Sequence, residues 1–244
     1  MPTIVAACQV PALKENINAS LDWIERFSKK AEQKSASLVC FPECFLQGYL
    51  TNENIARKNA VNLDSASFKK MIHRLESINP IIVFGLIESD GENIFNTAVV
   101  VKNGMLLGKY RKTHLLDGER IFERGSEYPV FQNGNMKFGI NICYDTQFPE
   151  CSMKIAKQGA TLILCPANNM MKYEMAEKFR YLHNSTRIER AKETKLWIIS
   201  SDVTGEVDGR ISYGPTAAIN PIGQIVDQVP LLETGMITVE ILDT

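Results

Sequence analysis

The 244-residue chain is 45% hydrophobic and 23% charged, the make-up of an ordinary globular protein, and its length suffices to bury roughly 70% of the surface an unfolded chain exposes. A formal net charge of −1 argues against a protein whose main task is neutralising phosphates, so nucleic acid is not an expected partner. No apolar run approaches the ~20 residues a bilayer span needs, and no linker divides the chain, so one domain over residues 1–244 is expected.

Thr3 to Val10 reads as a strand, followed by an amphipathic helix from Asn16 to Lys34 with Ile17, Leu21, Ile24, Phe27 and Ala31 on its apolar face. Ser37 to Phe41 is a short apolar strand that ends at Pro42-Glu43, and Ser65 to Leu75 reads as a second helix. Strands over Pro80 to Glu88 and Ile94 to Val101 are joined by an Asp90-Gly91 turn, and Lys102-Asn103-Gly104 marks a hairpin before Met105 to Tyr110. Apolar residues alternate from Met136 to Ile142, Cys143 comes as that pattern ends, and a helix near Glu150 to Gln158 closes at Gly159. Thr161 to Cys165 is the next strand and meets the polar Pro166-Ala167-Asn168-Asn169. One long helix is expected from Glu174 to Lys192. Trp197 to Ser201, Thr216 to Asn220, Gln224 to Asp227 and Met236 to Ile241 complete the strands. Alternating helices and strands imply α/β layering, whereas the hairpins argue against a wholly parallel sheet, and no glycine-rich nucleotide motif is present.

Six cysteines are too few for a disulfide-stapled scaffold, and the opening residues carry no basic signal-like region, so reduced thiols and a cytoplasmic location are expected. His73, His114 and His183 lie far apart, and Cys40 and Cys44 lack a second cysteine pair, so neither a metal nor another cofactor is expected. A thiol at a strand-to-helix corner faces a cleft more readily than one inside a strand, and nearby backbone N–H groups there can hold an oxyanion. Three polar residues follow apolar strands in this way: Glu43, Lys112 and Cys143. Taken alone, Glu43 and Lys112 fit ordinary surface charges, and Cys143 fits a small buried hydrophobe.

The ordered set of motifs resembles the nitrilase superfamily of carbon–nitrogen hydrolases. The matching stretches are Phe41-Pro42-Glu43 with Gly48-Tyr49, Gly108-Lys109-Tyr110-Arg111-Lys112-Thr113-His114-Leu115, Glu119 and Phe122 with Gly125, and Ile142-Cys143-Tyr144-Asp145 with Phe148-Pro149-Glu150. Arg190-Ala191-Lys192-Glu193, Tyr213-Gly214-Pro215 and Asn220-Pro221-Ile222-Gly223 continue it along nearly the whole chain. The resemblance implies an α+β fold, α/β-layered as a four-layer α-β-β-α sandwich, in a homodimer or higher homo-oligomer. It also implies a Glu43–Lys112–Cys143 triad with Glu119 beside the lysine. In this reading Glu43 is general base and acid, Cys143 the nucleophile, and Lys112 with the Tyr144 N–H the oxyanion donors.

Tyr49, Tyr144, Asn168, Asn169, Met170 and Tyr213 are the expected substrate-binding wall, and His114 a positioning residue. The implied activity is that of a thiol amidohydrolase on a small linear amide or N-carbamoyl compound. Nitrile hydrolysis, acyl transfer and a catalytically inactive metabolite-binding or interaction protein are the alternatives. Tyr144 after the nucleophile leans the choice toward amides by family analogy.

Overall fold

The computed structural model describes residues 3–241. In chain order the first elements are β1 (Thr3–Pro11), α1 (Ile17–Gln33), β2 (Leu38–Cys40), α2 (Glu53–Asn59), α3 (Ala66–His73), β3 (Ile81–Asp90), β4 (Asn93–Lys102) and β5 (Met105–Arg111). There follow β6 (Val130–Asn133), β7 (Met136–Ile140), α4 (Pro149–Ala156), β8 (Leu162–Pro166), β9 (Met171–Lys172), α5 (Tyr173–Phe179) and α6 (His183–Thr194). The last elements are β10 (Trp197–Ser201), β11 (Val203–Val207), β12 (Arg210–Ser212), β13 (Ala217–Ile219), β14 (Ile225–Gln228) and β15 (Gly235–Ile241).

Local chemistry explains the boundaries. Asn16, Asn52 and Ser65 cap α1, α2 and α3 by accepting the backbone N–H of Ala19, Ile55 and Phe68, donors that a helix start otherwise leaves unpaired. Asn103 and Gly104 take φ of 49° and 71°, the paired left-handed geometry of a two-residue hairpin, and β4 and β5 pair antiparallel on either side.

Two sheets result. The larger runs β5-β4-β3-β2-β1-β11-β12-β9 with β15 paired to β1, and the smaller runs β14-β13-β10-β8-β7-β6. Because side chains alternate across a strand, each sheet carries two apolar faces. Val5, Ala7, Cys40, Val83 and Val100 of the larger sheet meet Phe138, Ile140, Leu164 and Ile199 of the smaller one in a common core. The larger sheet turns Ala6, Cys8 and Val10 outward onto Leu21, Ile24 and Phe27 of α1 and Phe68 of α3. The smaller sheet turns Ile163, Cys165 and Ile198 onto Ile155 of α4 and Ala191 of α6. The expected α-β-β-α layering is therefore the observed one.

One helix differs from expectation. Residues 174–192 are not continuous: α5 ends at Phe179 and α6 begins at His183. No proline or glycine breaks the segment. The two halves serve different partners, α5 packing on β9 and β12 and α6 on β10, β13 and α4, and tertiary contact overrides a helical propensity worth only tenths of a kcal/mol per residue. Among the described residues no helix is long and apolar enough to cross a membrane.

Candidate active site

Glu43 stands where the chain leaves β2. The turn is bound to β3 by Phe41 N–H donating to Val83 O (2.8 Å), Gly85 N–H to Pro42 O (3.0 Å) and Leu46 N–H to Gly85 O (3.0 Å). Gly85 is required by this approach, because a Cβ there would lie 2.3 Å from Cys44 N and 2.6 Å from Pro42 O. The turn directs Glu43 inward, where it is 1% exposed.

Lys112 stands where the chain leaves β5, its N–H donating to Asn96 O and its carbonyl accepting from Gly125 N–H, both at 2.8 Å. Its buried ammonium donates to Glu43 Oε1 at 2.7 Å and to Glu119 Oε1 and Oε2 at 2.8 and 2.9 Å. Glu119, at the end of a single 3₁₀ turn (Asp117–Glu119), also accepts the Leu116 N–H at 2.8 Å. Asn96, buried on β4, donates its amide to Glu43 (2.7 Å) and Glu119 (3.1 Å). Sequence reading missed Asn96. The available signal was a carboxamide inside the apolar strand Ile94 to Val101, where an unpaired polar group is costly to bury.

Cys143 follows β7 and opens a 3₁₀ turn (Cys143–Gln147), with φ at 41°, a left-handed conformation a cysteine rarely adopts. The turn is held by Asp145, whose Oδ2 accepts from Ile142 N–H (3.0 Å) and Tyr110 OH (2.8 Å). Its Oδ1 accepts from Thr113 N–H (3.1 Å), Thr113 OH (3.0 Å) and His114 N–H (2.9 Å). One buried carboxylate therefore joins the turn carrying Cys143 to the strand exit carrying Lys112.

These surroundings shift the acid–base properties of all three groups. Burial, reinforced by Glu119 and opposed by Lys112, raises the Glu43 carboxyl to about 7. Burial alone would push Lys112 down, but Glu43 and Glu119 outweigh it and hold the ammonium charged. Burial and then the Glu43 charge push the Cys143 thiol well up, so attack requires a base to take its proton.

Cys143 is partly exposed to a cavity of about 320 Å³ lined also by Tyr49, Asn168, Asn169 and Met170, which brings four of the six expected wall residues together. Tyr144 and Tyr213 are not among the lining side chains. Tyr144 stands edge-on to Phe148 with centroids 5.3 Å apart, and the buried Tyr213 donates its hydroxyl to Glu177. Asn169 is fixed by Asp202, which accepts its backbone N–H at 3.0 Å and its side-chain amide. Lys14 and Arg210 also line the cavity and were not read from the sequence.

His114 lies outside the lining, stacked on Phe148 at 3.7 Å, with Nδ1 3.0 Å from Thr113 Oγ1 and 3.3 Å from Cys151 Sγ. The potential ligand atoms of His114, Asp145 and Cys151 lie within 4.8 Å of one another, but both Asp145 oxygens already accept from protein donors. Cys8, Cys40, Cys44 and Cys165 are buried free thiols, in keeping with packing roles.

The sequence model of the carbon–nitrogen hydrolase family matches residues 4–243. A nitrilase of Pyrococcus abyssi is 31% identical over 221 residues, covering 89% of this chain and 81% of that protein. An omega-amidase of Xenopus tropicalis is 28% identical over 241 residues, covering 92% of this chain and 82% of its own. Among solved structures, an amidase from Nesterenkonia sp. AN1 superposes with a TM-score of 0.84 at 25% identity, covering 99% of this chain and 93% of that one.

Proposed function

Because this chain belongs to the carbon–nitrogen hydrolase family, we propose that it hydrolyses a small linear amide or N-carbamoyl compound through a thioester on Cys143. The observation that carries this reading is the buried Lys112 ammonium shared by Glu43 and Glu119 at 2.7 and 2.8 Å, beside a thiol that opens onto a small cavity. The similarity to proteins named nitrilase and omega-amidase supports cleavage of a carbon–nitrogen bond, and the small cavity does not suit an extended peptide.

In the proposed reaction Glu43, deprotonated, takes the Cys143 proton as sulfur adds to the carbonyl carbon. Lys112 and the Tyr144 N–H face the oxygen as it gains charge; losing one such donor costs on the order of 3 kcal/mol of transition-state stabilisation. Glu43 then gives the proton to the departing nitrogen, and the C–N bond breaks to leave a thioester. Water, deprotonated by Glu43, releases the acid and restores the thiol. Glu119 and Asn96 orient Lys112 and Glu43. Asn168 Oδ1, buried without a protein donor, supports a further role, accepting an N–H from the substrate amide.

Ammonia release from a panel of small amides, N-carbamoyl amines and matched nitriles tests the reading, with intact mass recorded during turnover. The expected result is acid and ammonia from amides and an acyl adduct on the protein, both lost in Cys143→Ala with far-UV circular dichroism unchanged. Full activity in that variant, or a tenfold preference for nitriles over matched amides, sinks it.

We further propose self-association through the outer helices. Met153 on α4, together with Tyr181 and Leu182 in the bend between α5 and α6, is 37%, 77% and 51% exposed. A monomeric mass in light scattering would refute this arrangement.

A further inference from the structure

We infer that Asp202 is a positioning residue: bound to Asn169 on one side and set against Arg187 on the other, it holds the Asn168 carboxamide oxygen where a substrate N–H would meet it. This rests on the amide-hydrolase reading and adds to it a residue outside the cavity lining. Asp202 is the single residue between β10 of the smaller sheet and β11 of the larger, and it is fully buried. Its Oδ1 accepts the N–H of Asn169 at 3.0 Å and that of Val203 at 2.9 Å, and its Oδ2 accepts the Asn169 side-chain amide. A carboxylate enclosed by protein is costly to keep unless its oxygens are bonded, and two of these three bonds go to one residue of the cavity wall.

The wall segment is pinned on both sides of Asn168. Ala167 N–H donates to Ser201 O at 2.8 Å, and Ala167 O accepts the Glu43 N–H at 3.2 Å. Asp202 pins Asn169. Between these two fixed residues Asn168 lines the cavity, with its Oδ1 buried and without a protein donor. Asp202 cannot follow a loosened loop, because its N–H donates to Thr216 Oγ1 at 2.9 Å and its carbonyl accepts the Val10 N–H at 3.3 Å. Behind it the buried Arg187 of α6 lies 3.9 Å away, too far for a direct hydrogen bond but near enough to offset the charge. Arg187 is itself fixed by Asn184 Oδ1 at 2.9 Å and by Ser200 Oγ and Pro215 O at 3.1 Å. Burial raises the Asp202 carboxyl to about 6 against the opposing pull of Arg187 and Asn169, so at pH 8 it is ionised and accepts both Asn169 donors. Releasing Asn169 would free Asn168 to turn, and the substrate N–H would lose its acceptor.

Alkylation of Cys143 tests this without turnover, by comparing iodoacetamide with N,N-dimethyliodoacetamide, which lacks the amide N–H. In either reaction Glu43 takes the thiol proton, sulfur bonds to the methylene carbon, and iodide leaves. Rates at Cys143 are read by peptide mass at pH 8 and normalised to those of glutathione. The wild type should prefer iodoacetamide at least about tenfold. Asp202→Asn keeps an acceptor for the two backbone N–H groups but turns a donor toward the Asn169 amide, and should cut that preference at least about fivefold. Asn168→Ala should cut it as much, and the two together no further than Asn168→Ala alone, because one acts through the other. Should Asp202→Asn not fold, Asn169→Ala breaks the same bond from its other end and should behave alike. For the small amide turned over fastest, Asp202→Asn should raise KM at least about fivefold and leave kcat within about threefold, whereas a merely structural loss lowers kcat at unchanged KM. Equal alkylation by both reagents in the wild type, an unaltered preference in Asp202→Asn or Asn168→Ala, or additive effects of the two overturns the inference. Absence of turnover for every amide, with the alkylation pattern as expected, sinks amide hydrolysis and leaves Asp202 in its role.

Discussion

Asp145 accepts the backbone N–H of Thr113 at 3.1 Å, so the residue two places after Cys143 holds the residue next to Lys112. The same carboxylate takes Ile142 N–H and Tyr110 OH at 3.0 and 2.8 Å. A turn with a non-glycine residue at positive φ persists only when its surroundings over-determine it, and these bonds supply that constraint.

Replacing Asp145 should consequently damage both stability and rate. Asp145→Ala leaves several buried donors unpaired at about 1–3 kcal/mol each, partly relieved by relaxation, for a net loss of about 3–4 kcal/mol. Thermal unfolding should fall by about 6–16 °C, given about 2–4 °C per kcal/mol at this size. Activity of the folded fraction should drop more than tenfold. Unchanged melting and turnover would show that the clamp is dispensable.

The Glu43 carboxyl supplies a pH signature. Its pKa rises from the ordinary 4.5 to about 7 on folding, chiefly through burial. Between those values the folded form retains a proton that the unfolded chain has lost, so this group's contribution to stability declines as pH rises from about 4.5 to 7. The proposed base is active when deprotonated, so kcat/KM should rise with pH through an inflection near 7. Glu43→Gln should lower kcat/KM by about 10²–10⁴ and abolish that limb. A flat profile from pH 5 to 8 in the wild type would refute the assignment.

Gly85 should be intolerant of a single methyl group. The atoms it would strike, Cys44 N and Pro42 O at 2.3 and 2.6 Å, are backbone rather than flexible side-chain ends. Gly85→Ala should cost about 1–3 kcal/mol through overpacking and displace Glu43 with its turn, reducing turnover more than melting temperature alone predicts. Wild-type kinetics in this variant would contradict the close approach.

The parts of this fold legible in the sequence are those where one local rule acts alone. The helix starts near Asn16 and Ser65, Asn103-Gly104 as a hairpin, and the alternation before Cys143 all required no knowledge of distant residues. The helix expected over 174–192 was misread because its two halves pack on different strands, a fact with no local trace. The β11–β12 hairpin escaped notice because Gly205, Glu206 and Asp208 interrupt its apolar pattern, and Arg210 went with it. Glu43, Lys112 and Cys143 were singled out by ordered motifs. The contacts that orient them, Asp145 onto Thr113 and Asn96 onto Glu43, join positions 32 and 53 residues apart and exist only after the sheets stack.

Asn96 provides the sharpest test of how those surroundings tune the proposed base. Its amide donates to Glu43 Oε1 at 2.7 Å, a bond that favours the ionised carboxylate and opposes the effect of burial. Asn96→Ala removes the donor while leaving Lys112 in place, so the Glu43 pKa should move further above its value of about 7. The acidic limb of kcat/KM should shift upward by about 0.5–1 pH unit, corresponding to about 0.7–1.4 kcal/mol. At pH 6 the loss in rate should exceed that at pH 8.5, where the carboxyl is ionised in both proteins. A merely structural role for Asn96 would lower activity by the same factor at both values. An unmoved limb would therefore remove Asn96 from the tuning of Glu43, even if the variant were less active or less stable.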